Sequence, residues 1–174
     1  MIRPIVLYPD PRLKLKSATV KSFDDDLALL AADMADTMRD AAGLGLAAIQ
    51  VGEPLRFMVM EAKFDQEDKG EALTLANMEI LSTEGVQTGE EGCLSIPEIR
   101  EDLERPYRVT LKAQDLQGAW KEYAFEGLLA RCIFHEMDHM EGRLFVERLP
   151  AVKRLLLKGR LKELQKKFKP AARK

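Results

Sequence analysis

The sequence predicts an α+β fold: small mixed or antiparallel sheets packed around a central buried helix that carries an H-E-x-x-H pattern, with a further helix at the C-terminal end. Three observations predict it. Strand-like runs precede helices with no β-α-β alternation, which argues against a parallel sheet. Residues 107–125 alternate apolar and polar side chains on either side of Gly118, the pattern of a hairpin. Both histidines of the chain fall in CIFHEMDHMEG, residues 132–142, four positions apart in a helix-like run.

The elements follow in order. Residues 3–8 read as a short strand and Pro9–Pro11 as a turn. Asp24–Asp26 suit a helix start, because short acids cap free amides and favour the positive helix end. Leu27, Leu30, Met34 and Met38 follow at three- and four-residue spacing, so 24–41 is an amphipathic helix with Gly43 as its stop. GLGLAAIQVG is apolar and punctuated by glycine. Phe57–Met60 reads as a buried strand, KFDQEDKGEA as a polar loop or hairpin tip, and Leu73–Leu81 as a mixed strand. TGEEGCLSIPEIR opens with loop chemistry and continues extended. Residues 128–141 are helical, stopped by Gly142, and a last helix begins after Pro150. No repeat, low-complexity tract or linker divides residues 1–174, so a single catalytic domain is expected, with 150–174 a basic amphipathic helix.

A chain of 174 residues with 46% hydrophobic and 32% charged side chains buries a substantial core. Its apolar runs are short and broken by charge, so no membrane span and no secretory signal are expected. Two cysteines are too few for a disulfide framework and fit a reduced, cytoplasmic setting, where a thiol is a candidate ligand or nucleophile. The net charge of −2 hides an asymmetry: from Pro150 onward stand ten Lys/Arg and one acid, Glu163, against an acidic remainder. Two different surfaces, and two different partners, are implied.

On a helix, positions i and i+4 lie nearly in line, so His135 and His139 present two imidazoles to one point. Glu136 sits beside them, close enough to handle the protons of an activated water. Leu129, Ile133, Met137 and Met140 cover the opposite face, which predicts a buried helix. Two buried imidazoles without a shared partner are costly to desolvate. A catalytic site usually takes three protein ligands. No third histidine exists, and the acids after Gly142 are only Glu147 and Glu163. Cys93, in what reads as the loop EEGCLS, is well suited to reach a metal. Cys132, in the middle of an apolar helix, reads as a small core residue. In Gly43–Gln50, the glycines let a substrate backbone come close, and Gln50 offers an amide N–H to a developing oxyanion.

Gly43–Gln50 (GLGLAAIQ), Glu91–Ser95 (EGCLS) and His135–His139 (HEMDH) stand intact and in the order of the three signature motifs of the peptide deformylase family. The resemblance covers nearly the whole chain, including PDPRL near the N-terminus and the basic last helix of the bacterial type. It implies removal of the formyl group from formyl-Met nascent polypeptides, releasing formate. It implies Cys93, His135 and His139 as ligands of one divalent metal ion, typically Fe2+, with Zn2+, Ni2+ or Co2+ able to occupy the site. It implies Glu136 as general acid/base, with the Gln50 side chain and the Leu94 backbone N–H holding the oxyanion. Substrate backbone would pair with Leu44, Gly45 and Gly92, and Leu128 and position 131 would meet the methionine side chain. The basic helix would dock on the ribosome, with neither membrane nor DNA as partner.

Asp138, Glu91 and Arg100 read as orienting or loop-fixing charges. Three departures from the family pattern stand out. Phe134 replaces a common Gln, and LANM at 75–78 replaces the usual Asn-Pro, read as local strand geometry. Arg131 stands where an apolar residue commonly lines the methionine pocket. Snorkelling of Arg131 to the pocket rim is expected, and Arg131→Ile is expected to improve turnover. Leu157, Leu161, Leu164 and Phe168 form the apolar stripe of the last helix, although Gly159 weakens it. Three rivals remain: a deformylase-like paralogue with altered side-chain preference, a ribosome- or RNA-binding protein with a structural metal site, and a zinc endopeptidase. The last explains neither Gln50 nor Cys93.

Overall fold

The computed structural model describes residues 1–63, 66 and 70–168. Helix α1 spans Asp25–Asp40, capped by the Asp24 carboxylate, which accepts from the Leu27 N–H. Leu27, Leu30, Met34 and Met38 are buried, as their spacing predicts. The left-handed residue beyond the helix is Ala42 (φ 52°), not Gly43. Gly43 serves space instead, since a Cβ there would lie 2.8 Å from Leu94 Cδ1.

Five strands form one antiparallel sheet: β1 (Gly45–Ala47), β2 (Phe57–Met60), β3 (Leu73–Glu84), β6 (Arg108–Gln114) and β7 (Trp120–Glu126), in the order β1-β2-β3-β6-β7. Strands β4 (Gln87–Cys93) and β5 (Ile96–Arg105) pair only with each other. Helix α2 spans Gly127–Met140 and helix α3 spans Ala151–Lys167. The hairpin expected over 107–125 is β6–β7, with Gly118 at a positive φ in its turn.

Strand β2 shows why FMVM is apolar throughout. Side chains alternate across a strand, and here both faces are covered. Phe57 and Val59 join Leu27, Leu30 and Met34 of α1, while Met58 and Met60 join Ala130, Ile133 and Met140 of α2. A third core lies under α3, where Leu157 and Leu164 meet Ile99 and Leu103 of β5 and Phe145. Leu161 and Phe168 pack partly against the same core, so the stripe of the last helix faces the body.

Three expectations are corrected. Residues 3–8 form no strand; Val6 and Tyr8 donate singly to Gln50 O (2.7 Å) and Ser95 O (2.8 Å) instead of joining a ladder. Strand β3 runs on to Glu84, because its outer half pairs with β6 although its side chains are exposed. Cys93 ends a strand rather than sitting in a loop. Half of the polar stretch KFDQEDKGEA, at 64, 65 and 67–69, lies outside the described residues.

Asn77, within LANM, has φ 51° beside a bulge in β3. Its buried amide accepts from Val20 N–H (2.9 Å) and donates to Val20 O (2.9 Å) and Gln114 Oε1 (2.7 Å), tying the N-terminal segment to the sheet. Asn77→Ala leaves both Val20 backbone groups buried without partners and is expected to cost about 2–3 kcal/mol. Urea unfolding checks this as a lowered midpoint at unchanged slope.

Candidate metal centre and active site

The site forms where α2 meets the tip of the β4–β5 hairpin. β4 ends at Cys93, and Leu94–Ser95 turn the chain into β5. The tip is held from two sides: Tyr8 N–H donates to Ser95 O, and Gln50 Nε2 donates to Ser95 Oγ at 3.1 Å. Cys93 Sγ thereby stands 3.1 Å from His139 Nε2. One ligand atom each from Cys93, His135 and His139 lie within 4.8 Å of one another, all three residues buried. The chemistry of this donor set fits a divalent transition metal, a soft sulfur with two imidazoles. Two buried atoms, Glu136 Oε2 and His139 Nδ1, have no hydrogen-bond partner among the described residues.

Glu136 lies between the ligands on α2, 3% exposed, and burial pushes its carboxyl up to about 7. Burial, and then the neighbouring His135, keep His139 well below the ordinary imidazole range. Its ring is therefore neutral, the state a metal ligand needs. Burial pushes the Cys132 thiol well above its usual range, with Glu136 adding to the effect. Cys132 thus stays protonated in the core, as its place in the helix suggested.

Around the ligands stands a network that the sequence reading did not assemble. His135 Nδ1 lies 2.7 Å from Glu91 Oε1. Glu91 accepts there, so the Nδ1 carries the proton and the other ring nitrogen is left to a ligand role. Arg105 grips Glu91 through Nε (3.1 Å) and Nη2 (2.7 Å) and reaches Asp138 through Nη1 (2.7 Å). Arg148 also binds Asp138. Burial alone would raise Glu91, but the bonds from His135 and Arg105 outweigh it and hold the carboxyl at about 2. Asp138 orients through ion pairs, as expected. Glu91 orients too, from inside the protein: it is 5% exposed and touches a ligand ring. Arg100 does remain on the surface, paired with exposed Glu90. Arg105 was missed, although a signal existed: it shares strand parity with buried Ile99 and Leu103.

A cleft of about 390 Å³ opens onto this centre, lined by Leu44, Gly45, Gln50, Gly92, Cys93, Leu94, Leu128, Arg131, His135 and Glu136. Every singled-out site residue lies there except His139, which sits deeper and is 1% exposed. Gln50 Nε2 stands 3.7 Å from Cys93 Sγ, and its Oε1 is fixed by the Ala47 N–H at 2.9 Å. Arg131 does not snorkel to the rim: it is 5% exposed, and its guanidinium binds Glu91 and two backbone carbonyls. Phe134 packs partly into the core beside α2 instead of facing the site.

Together, the fold and the site define a metal-dependent hydrolase. The family model for polypeptide deformylase matches residues 2–155. The peptide deformylase of Alkalilimnicola ehrlichii is 47% identical over 94% of this chain and 90% of its own length, and that of Acidobacterium capsulatum 45% over 95% and 97%. The crystal structure of a peptide deformylase from Legionella pneumophila superposes with a TM-score of 0.87 at 42% identity, covering 98% of this chain and 100% of its own. The enzyme from Thermus thermophilus gives 0.87 at 38%, over 97% and 100%. The chain belongs to the polypeptide deformylase family, whose members depend on a metal.

Gly45 is where the cleft strand and the helix touch. A Cβ there would lie 2.4 Å from Cys132 Sγ and 2.9 Å from Glu136 Oε1, so the protein's own packing demands glycine. Gly45→Ala is expected to displace Glu136, lowering formate release at least tenfold and stability by about 1–3 kcal/mol. Parallel activity and melting measurements on the variant check this.

Proposed function

We propose that residues 1–174 act in the cytoplasm as one catalytic domain, removing the formyl group from formyl-Met nascent peptides through a divalent cation held by Cys93 Sγ and one nitrogen each of His135 and His139. The observation that carries the reading is the convergence of those three ligand atoms beside the unpartnered Oε2 of Glu136. The cation, Fe2+ in the native enzyme with Zn2+, Ni2+ or Co2+ able to replace it, supplies Lewis acidity and makes water nucleophilic near neutral pH.

The remaining work falls to the chain. Leu44, Gly45 and Gly92 offer backbone groups on either side of the cleft. The substrate enters as an added strand beside β1, an edge strand of its sheet among the described residues. Leu128, and the stem of Arg131 with its head turned to Glu91, meet the methionine side chain. Gln50 Nε2 and the Leu94 N–H donate to the carbonyl oxygen as charge develops on it; one such donor is worth about 3 kcal/mol of barrier. Glu136 takes the proton that water loses as its oxygen bonds the formyl carbon. It gives a proton to the amine nitrogen as the C–N bond breaks, leaving formate and a free N-terminus. Glu91 keeps the His135 ring in place throughout.

Formate release from formyl-Met-Ala-Ser, on protein purified without oxygen, tests the reading. Glu136→Ala is expected to lower turnover about 10²–10⁴-fold while metal content stays at the wild-type level. Wild-type turnover in that variant would remove Glu136 from the mechanism.

Helix α3 supports the ribosome as second partner. Lys153, Arg160 and Lys167 are taken up by Glu101, Glu98 and nearby carbonyls of the body. Arg154, Lys158 and Lys162 have no ion pair among the described residues and remain free for phosphate. Replacing these three by Ala is expected to weaken co-sedimentation with ribosomes and to flatten the log–log salt dependence by about 2–3.

A further inference from the structure

Each oxygen of the Glu91 carboxylate accepts two hydrogen bonds. Oε1 takes His135 Nδ1 (2.7 Å) and Arg105 Nη2 (2.7 Å); Oε2 takes Arg105 Nε (3.1 Å) and Arg131 Nη1 (3.2 Å). A carboxylate offers about four acceptor positions, so this one is full. Arg105 approaches from β5 and is shared with Asp138, whereas Arg131 lies on α2 itself, one turn before His135. The path His135–Glu91–Arg131 therefore leaves the helix and returns to it through a strand residue. Arg131 is anchored at two more points, Leu103 O (2.8 Å) and Gln87 O (3.4 Å). Its guanidinium lies over Gly89, where a Cβ would stand 3.3 Å from Nη2.

We propose that Arg131 is a positioning residue for the metal centre: by gripping Oε2 of Glu91, it fixes the carboxylate that in turn fixes the His135 ring toward Cys93 and His139. The proposal rests on the Cys93–His135–His139 reading of the ligands. Without Arg131, the only guanidinium left on Glu91 among the described residues is that of Arg105, which is shared with Asp138 through a 2.7 Å bond. Arg131 adds a second guanidinium, on Oε2. It also sets the local charge. Glu91 and Asp138 face three guanidiniums, Arg105, Arg131 and Arg148, so these five groups carry one excess positive charge. The expectation drawn from sequence alone, that Arg131→Ile improves turnover, is therefore reversed. Isoleucine restores an apolar wall but leaves Glu91 and Leu103 O each short of a donor.

The test uses Arg131→Ile, Arg131→Lys and Gly89→Ala in the full chain, loaded with Co2+ or Zn2+. In Arg131→Ile, Zn2+ affinity measured against a chromophoric chelator is expected to fall about tenfold, the low end for an outer-shell partner. The visible Co2+ absorption bands shift, and kcat for formyl-Met-Ala-Ser falls with KM little changed. Lysine restores only part, because one ammonium lacks the planar fork that reaches three acceptors. Gly89→Ala keeps the charge but crowds the guanidinium, which must give by a few tenths of an ångström, so it moves the Co2+ bands in the same direction by less. It also carries the test if Arg131→Ile does not fold. Wild-type affinity and spectrum in a folded Arg131→Ile overturn the proposal, as does a change in KM alone, which leaves Arg131 only its place in the pocket wall. Failure of the wild-type chain to bind one Co2+ is a different result: it overturns the ligand reading and this proposal with it.

Discussion

Besides the Cys132 thiol, five titratable side chains of α2 are buried: Arg131, His135, Glu136, Asp138 and His139. Water reaches none of them freely, so each must be answered inside the protein or the helix is not stable there. The answers come mainly from two residues of one hairpin, Glu91 on β4 and Arg105 on β5. Glu91 meets His135 and Arg131; Arg105 bridges Glu91 and Asp138. On this helix, the buried side-chain atoms left without a partner among the described residues are Glu136 Oε2 and His139 Nδ1. The helix thus folds against its hairpin through charge as much as through apolar contact, and the same pairing aims the ligands.

The two elements flanking α2 deliver the rest of the site by different means. Strand β1 comes within contact of the helix because Gly45 has no side chain to hold it off Cys132 and Glu136. The β4–β5 hairpin presents Cys93 at its last rung, with Tyr8 and Gln50 bracing the turn that follows. Chain segments from four regions of the sequence therefore converge on a few ångströms. Short polar contacts set their spacing, and the sheet–helix cores hold the frame behind them.

At the other end, α3 divides its basic residues between two duties. Leu157 and Leu164 seat it on the hairpin core, and Lys153, Arg160 and Lys167 tie it to Glu98 and Glu101. The charge that looked like a single basic tail is partly internal bookkeeping between helix and body. What faces outward is a smaller cationic set with exposed Val152, Leu155 and Leu156.

The sequence by itself determined the local elements and the chemistry of the ligands. Periodicity located α1, the β6–β7 hairpin and α2, and an unbroken apolar run located β2. Four-residue spacing on a helix put His135 and His139 on one face, and the lack of other donors turned attention to Cys93. These features depend on neighbours in sequence or on the scarcity of a residue type, and both can be read along a line. Only the tertiary structure decided what Arg131, Glu91 and Arg105 do. Each is an ordinary charged residue by composition, and each has partners 14 to 44 positions away. Whether such a charge snorkels to water or is buried depends on whether an opposite charge from another element reaches the same point, and no local pattern records that.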